Sequence, residues 1–437
     1  MLSLRERTML GNVPGDWAAR PLRDLLKVHY PGDWGDDAGP NMAKVIRSTN
    51  LTNDGCLDLT DVALRALPPT TVSLLSPLRD DILLERSGGG PGQPVGRVGF
   101  VVADMPGHAF SNFLHLLRPN PNEIDPRFLA WILYRVNRSG CIVRLEQQTT
   151  QMRNLHFRDY LTMSLPVPPR EERIEIARIL DTVDDAVQQA RGATEKAAHL
   201  RVGLLQSAFE FKNTHGPMKP SELGPIPPSW EAIKGKQAFA VATGGWSSVD
   251  SIRRPRDGAI SDAWFMKVDD FNSPANRRGI YRTSLGFRSA DNPRFKLHQP
   301  GTVIIAKRGA AILKNRVRKS FVPIALDPNL MALQALPGIR PDFLRMQLEW
   351  RKLSRYVEDS GIPQLNNKDL YPRWFLRAPD SAQEEIIRVI AAVESYEDAL
   401  LARADALEDL KKGLMQDLLT GTVRMPVHED ELRAVAS

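Results

Sequence analysis

Only two of the 437 residues are cysteine, Cys56 and Cys141, and neither has the paired spacing of a zinc site or a redox couple. A disulfide framework is excluded, and a reducing compartment, the cytoplasm, is expected. The eight histidines are scattered and offer no metal-binding cluster. No apolar run reaches the roughly 20 residues that span a bilayer. The opening MLSLRERTML has no apolar core of signal-peptide length, so no membrane partner is expected.

Catalytic motifs are equally scarce. The run from Ser87 to Gly92 (Ser-Gly-Gly-Gly-Pro-Gly) lacks the Lys-Ser/Thr of a phosphate-binding loop and the spacing of a dinucleotide fingerprint, and reads as a flexible loop in preference to a nest for a phosphate. His428-Glu429-Asp430 has no second histidine to make a metalloprotease motif. There is no Asn-Pro-Pro-aromatic motif of an amino-methyltransferase and no carboxylate–lysine cluster of a nuclease. Asp184 and Asp185 lie in a helical stretch, where a solvated flank or a partner contact is expected rather than acid–base chemistry. The balance favours a binding protein with no catalytic residue, no metal site and no cofactor of its own.

What the chain has instead is a duplication. Ile386, Ile390, Val393, Glu397, Leu400, Ala404, Leu407, Lys411, Leu414 and Leu418 alternate in steps of four and three, the seam of a heptad helix. Subtracting 210 from each gives Ile176, Leu180, Val183, Val187, Ala190, Thr194, Ala197, Arg201, Leu204 and Ala208. The seam recurs without a gap, Arg201 matches Lys411, and Gly203, Leu204 and Gln206 match Gly413, Leu414 and Gln416. Pairing of the two helices is expected through Ile176, Leu180, Val183, Val187 and Leu204 against Ile386, Ile390, Val393, Leu400, Leu407, Leu414 and Leu418.

Weaker echoes lie ahead of each helix. Val13-Pro14-Gly15-Asp16-Trp17 resembles Ile226-Pro227-Pro228-Ser229-Trp230, and Leu78–Gly88 resembles Gln299–Gly309, each a turn, a buried strand, a basic residue and a glycine. Pro126-Arg127-Phe128-Leu129 resembles Pro341-Asp342-Phe343-Leu344, each opening a helix with proline in its first turn. Gln151 and Asn154 match Gln364 and Asn367. The chain therefore divides into a mixed α/β globule (1–169), a helix (170–212), a Pro/Gly-rich linker (213–225), a second globule (226–379), a second helix (380–421) and a tail (422–437). This is an α/β, pseudo-twofold design with two long antiparallel coiled-coil helices. A helix of about 40 residues is roughly 60 Å long, so a folded-back pair would hold the globules apart.

Charge is uneven over this plan. Residues 226–378 hold 26 basic and 13 acidic side chains, residues 13–169 hold 16 of each, and residues 379–437 hold 6 basic and 13 acidic. A basic second globule points to a polyanion, and two different globules on a helical spacer suit a split, asymmetric sequence of double-stranded DNA. Candidate DNA contacts in the second globule are Arg253, Arg254, Arg256, Lys307, Arg308, Lys314, Arg316, Arg318 and Lys319; on a strand, Lys314, Arg316 and Arg318 would share one face. In the first they are Arg47, Asn50, Arg86, Arg97, Gln151 and Arg153. The acidic flank of the second helix (Glu394, Asp398, Asp405, Glu408, Asp409) is expected to meet protein rather than DNA.

With these features together, the chain resembles the specificity subunit of type I restriction–modification systems. The resemblance spans nearly the whole sequence. It rests on the paired Pro-x-x-Trp openings, on P-x-P-x-x-E-E-R-I-E-I-A-R-I-L-D, on Q-E-E-I-I-R-V-I, and above all on L-K-K-G-L-M-Q-D-L-L-T-G. It implies that the globules are target-recognition domains reading a bipartite site, and that the helices dock two methyltransferase subunits. Restriction subunits would join them, and the partners would supply S-adenosylmethionine, ATP and Mg. Where the family usually has a Glu-Gln pair before the helix, this chain has Glu172-Arg173 and Ala382-Gln383, and Glu397 stands where Val187 stands in the first copy. Two other readings explain less. A coiled-coil scaffold that does not bind DNA leaves the basic globule unexplained, and a stand-alone nuclease or methyltransferase lacks motifs. If the seam is buried between helices, Leu407→Asp should cost several kcal/mol in chemical denaturation; an unchanged midpoint would mean that the helices do not pair.

Overall fold

The computed structural model describes residues 7–89, 92–148, 152–211, 216–243, 252, 261–357 and 363–425. Two uninterrupted helices, Arg170–Glu210 and Asp380–Leu418, dominate it. Neither contains proline, and Pro169 and Pro379 precede them, as expected for a residue that starts helices well and continues them badly. Each helix is followed by a residue in the left-handed region: Phe211 (φ 52) after the first and Gly421 (φ 69), 210 positions later, after the second. Glycine enters that region freely, whereas phenylalanine loses about 1–2 kcal/mol there. An edge-on contact between the Phe211 and Trp230 rings, 5.0 Å between centroids, offsets about 0.5–1.5 kcal/mol of it.

The chain forms two compact units, and the boundary falls inside both long helices. The first unit comprises residues 1–190 and 403–437, the second 191–402. Each unit thus holds one globule, half of its own helix and half of the other.

In the first unit a four-stranded sheet takes the order Leu26–Pro31, Leu114–Pro119, Ile82–Glu85, Val98–Phe100. A three-stranded sheet takes the order His108–Phe110, Met42–Ile46, Ala63–Ala66, its first pair parallel and its second antiparallel. The second unit repeats both. Its four-stranded sheet runs Phe239–Thr243, Leu330–Ala335, Val303–Ala306, Val317–Lys319, and its three-stranded sheet runs Ile324–Leu326, Ala263–Met266, Leu285–Phe287 with the same directions. The central strands, Ile82–Glu85 and Val303–Ala306, are buried at every position. The helices Pro126–Arg138 and Pro341–Arg351 are equivalent, with Phe128 and Phe343 both fully buried.

The core of the first unit joins globule to helices. Trp17, Phe128, Trp131 and Leu165 cluster with Ile176 and Leu180 of the first helix and Met415, Leu418 and Leu419 at the end of the second. In the second unit Trp230, Phe343 and Met346 cluster with Leu205 and Phe209 and with Ile390, against which Ile386 also packs. Low numbers on one helix meet high numbers on the other, so the halves run antiparallel in each unit. Val187, Ile390, Ala404 and Leu418 are buried on the expected seam, while Val183, Val393, Leu400, Leu407 and Leu414 are half-buried. Near the end of the first helix burial moves one residue along, from Leu204 to Leu205 and from Ala208 to Phe209, because that stretch turns toward Phe343 and Trp350.

The matched cations of the seam answer one problem in two ways. Lys411, 7% exposed, binds Asp184 at 2.6 Å and lies 4.8 Å from the Trp131 ring and 5.0 Å from the Tyr134 ring. Asp184 is itself 5% exposed, so the solvated flank expected for it is corrected to a buried ion pair. In the second unit Arg201 binds Glu349 at 2.9 Å and approaches Glu397 at 3.5 Å and Glu394 at 4.0 Å. Shifting Asp184 and Lys411 by 210 in opposite senses gives Glu394 and Arg201, so the two pairs are equivalent. Tyr134 corresponds to Glu349 on the globule helices: a ring face holds one cation and a carboxylate the other.

Removing one partner of such a pair strands a buried charge, whereas replacing both with apolar groups is often neutral. Lys411→Met should therefore lose about 3–5 kcal/mol in urea denaturation, and Asp184→Leu combined with Lys411→Leu should recover most of it.

Candidate nucleic-acid interface

In the first globule the end of the central strand carries Glu85, Arg86 and Ser87. Ser87–Gly88 pairs with Arg153–Asn154, and a Cβ on Gly88 would approach the Ser48 hydroxyl at 3.7 Å. The structure thus gathers Arg86, Arg97, Arg153 and the turn Arg47–Asn50, which are scattered in sequence. Several of these side chains have internal partners. Arg97 makes a bidentate pair with Glu85 (2.9 and 2.7 Å) and donates to Leu51 O and Ser48 O. Asn50, 4% exposed, donates to the carbonyls of Asp58 and Asp61 at 2.8 Å each. Arg47 bonds Asp61, and Arg153 bonds Glu146 at 3.1 Å. The Arg86 guanidinium lies 5.7 Å from the Phe157 ring. Gln151 falls outside the described residues.

The second globule repeats the arrangement. Arg308 follows its central strand, bridges to Gln364 in the chain, and donates to the Gln364 side-chain oxygen at 3.1 Å. Lys307 is half-buried, its carbonyl accepting from Leu365 N, and Arg308 is exposed. The expectation of one strand face for Lys314, Arg316 and Arg318 is corrected. The strand is only Val317–Lys319, and Lys314 is exposed in the preceding turn. Asn315 holds that turn at φ 47, donating to Glu349 O and accepting from Leu353 N. Arg316 clasps Asn272 through its carbonyl and side chain, and Lys319 pairs with Asp342. Burial pushes Arg318 down to about 10 as it lies over Phe271. Arg253, Arg254 and Arg256 fall outside the described residues.

One basic residue was missed by sequence reasoning. Arg47 closes strand Met42–Ile46, and its backbone N–H donates to the Asn50 side chain. Lys267 closes the equivalent strand Ala263–Met266, and its N–H donates to Asp270 at 3.1 Å. The signal was a basic residue, then Asn or Asp three positions later, after an apolar run (Val-Ile-Arg-Ser-Thr-Asn and Phe-Met-Lys-Val-Asp-Asp).

The acidic flank of the second helix also needs correcting. Glu394 is buried and takes two bonds from Arg345, at 2.9 and 3.0 Å. Asp398 pairs with Arg277 and Arg278, and Glu397 with Arg278 at 2.8 Å. With Arg201 and Glu349 these form a network of four arginines and four carboxylates inside the second unit. Burial opposes the charge on Arg345, and Glu349 and Glu394 overcome it, raising its pKa. Asp405 and Asp409 remain on the exposed side of the helix. The Glu-Gln departures have structural roles of their own. Glu172, 1% exposed, receives Trp17 Nε1 and the Arg424 guanidinium, and Arg424 also binds Asp16. Gln383, also 1% exposed, accepts from Arg340 N and donates to the carbonyls of Gly338 and Ala378.

Chemically, the surface offers guanidinium, ammonium and amide groups, the set that binds phosphates and base edges. Among the described residues no group of three His, Cys, Asp or Glu is placed to hold a metal ion, and no helix is long and apolar enough to cross a membrane. Beside Arg86, His115 is buried against Phe157, and His29 Nδ1 lies 3.2 Å from its Nε2. Burial, with His29 and Arg86 adding like charge, pushes His115 down to about 3.

No family model matches the chain. A Methanocaldococcus jannaschii chain provisionally named as the specificity subunit of the type I restriction enzyme MjaX is 21% identical over 434 residues, covering 96% of each chain. The MjaVIII specificity subunit of the same organism is 24% identical over 115 residues, 26% of this chain and 27% of that one. Among solved structures, a type I restriction–modification S subunit from M. genitalium superposes with a TM-score of 0.58 at 16% identity, over 95% of this chain and 99% of that one. A chain from a structural study of complex assembly and conformational transition in the type I system gives 0.54 at 15% identity, over 94% and 99%. The fold is that of these S subunits, and the sequence resemblance to the MjaX subunit runs almost end to end.

The histidine pair makes a prediction for the first unit. His115 is neutral when folded and gains a proton more readily when unfolded, so stability is full above about pH 6.5 and falls as pH drops toward 3. His115→Gln should flatten that part of the stability–pH curve; an unchanged slope in thermal melts would mean that other groups dominate.

Proposed function

We propose that this chain is the DNA-specificity subunit of a type I restriction–modification complex, reading a bipartite target with its two globules. The observation that carries this is the repeat of both sheets in two globules whose surface residues differ: one scaffold, used twice, with two sets of side chains. A protein that needed two identical sites would have kept them alike. The duplicated helix seam and the end-to-end resemblance to specificity subunits support the same reading.

In this reading the globules contact double-stranded DNA through Arg86, Lys307, Arg308 and Lys314. The helix pair sets the spacing between half-sites and docks two methyltransferase subunits, with restriction subunits joining them. The chain works in the cytoplasm and does no chemistry itself. Adenine methylation with S-adenosylmethionine, and cleavage with ATP and Mg, belong to the partners.

Mapping methylated adenines genome-wide, with and without this chain, tests the reading; one split motif should vanish with the chain. The assembled complex should prefer its target to other duplexes at physiological salt, and its affinity should fall steeply as salt rises. Equal binding to all duplexes would refute the reading. Inserting two whole heptads in both helices should lengthen the gap in the recognised motif and leave the half-sites unchanged. Altered half-site bases would count against a spacing role.

A further inference from the structure

The second globule leaves two stacked aromatic rings partly in water. Tyr281 is 56% exposed and Phe321 42% exposed. The rings stack at 4.5 Å with their planes 6° apart. The arrangement is braced from below. Ile280 N donates to Lys319 O at 2.9 Å and Phe321 N to Ile280 O at 2.8 Å, which fixes the two backbones side by side. Gly279 is buried under Phe321, where a Cβ would come within 2.4 Å of the ring. The Lys319 ammonium lies 4.5 Å from the Phe321 centroid. Arg282, next in the chain to Tyr281, is exposed.

The first globule has a counterpart. Tyr281 stands four residues ahead of strand Leu285–Phe287, and Leu59 stands four ahead of the equivalent strand Ala63–Ala66. Phe321 stands two residues past strand Val317–Lys319, and Val102 two past Val98–Phe100. Leu59 is 39% exposed and Val102 67% exposed. Both copies of the fold thus leave large apolar side chains in water at the same two places, with different residues in each copy. Scattered exposed apolar residues need no explanation; recurrence at matched positions does.

We infer that these positions are a DNA-contacting element, and that in the second globule the Tyr281–Phe321 stack packs against base or sugar edges while Arg282 meets the adjoining phosphate. Charge favours this occupant. The stack lies in the globule with a two-to-one excess of basic over acidic side chains, beside the exposed Arg282. Exposed apolar rings beside a cation suit a duplex, whose grooves offer thymine methyls and sugars next to an anionic backbone. The stack is preformed, so binding freezes few rotamers. Changing residue type at a kept position would alter which half-site is read and leave the scaffold intact. The inference rests on the specificity-subunit reading.

The test uses the full chain assembled with its methyltransferase partner. Tyr281→Ala, at an exposed position, should leave melting temperature and assembly unchanged and weaken binding to the methylation-mapped target roughly tenfold, the loss from no longer burying the exposed half of an aromatic side chain. Tyr281→Phe, which keeps the ring, should bind as the wild type does. Arg282→Ala should reduce the slope of log affinity against log salt by about 1. Tyr281→Ala binding the target like the wild type overturns the inference. So does Tyr281→Ala losing the methyltransferase partner, which would make the stack a protein contact. If the wild-type complex itself shows no sequence preference, the specificity-subunit reading falls as well, an outcome visible before any variant is made.

Discussion

Two helices of about 40 residues each must bury a cation on their seam, and much of the structure is arranged around that demand. A charge taken out of water costs several kcal/mol unless paired and hydrogen-bonded. Lys411 gets Asp184 and two ring faces; Arg201 gets Glu349, with Glu397 and Glu394 nearby. In both cases part of the compensation comes from the globule, through Trp131 and Tyr134 or through Glu349. Globule and helices therefore do not pack as independent pieces. Their hydrophobic clusters are shared, and so are their charges.

That sharing explains why much of the basic surface is committed internally. A globule with 26 basic residues looks like a polyanion sponge in one dimension. In three, Arg277, Arg278 and Arg345, together with Arg201 of the first helix, are matched by four carboxylates, and Arg316 and Lys319 hold structural partners. Among the described residues the positive charge left to attract a partner is smaller than the count suggests; Arg308, Lys314 and Arg282 are among the exposed side chains that carry it. Affinity from such a surface would depend on geometry more than on net charge.

The long helices were legible because a heptad seam is a local pattern, and because the second copy repeats it over about 40 residues without a gap. The central strands Ile82–Glu85 and Val303–Ala306 were legible as apolar runs ending in a basic residue and glycine. The three-stranded sheets were not. Their strands are three to five residues long, and the parallel pair joins Met42–Ile46 to His108–Phe110 across some sixty residues, too far apart for a local turn to mark the pairing. Partner choice among charges was also hidden. Arg278 and Asp398 are 120 residues apart, and nothing local says that this aspartate faces inward while Asp405 faces out. Lys267 went unnoticed because its likeness to Arg47 lies in backbone capping geometry, which composition does not report.

The division of the chain has a bearing on its synthesis. The first unit needs Met415, Leu418 and Leu419 to close its core, and needs Arg424 to neutralise Glu172 beside Trp17. Those residues leave the ribosome more than two hundred positions after Leu180. At about 5–20 residues per second the interval is roughly ten to fifty seconds. Throughout it the cluster around Ile176 and Leu180 lacks the side chains of the second helix, and Asp184 waits without its lysine. The second unit, residues 191–402, is made in one continuous stretch. The globule translated first is therefore the one completed last.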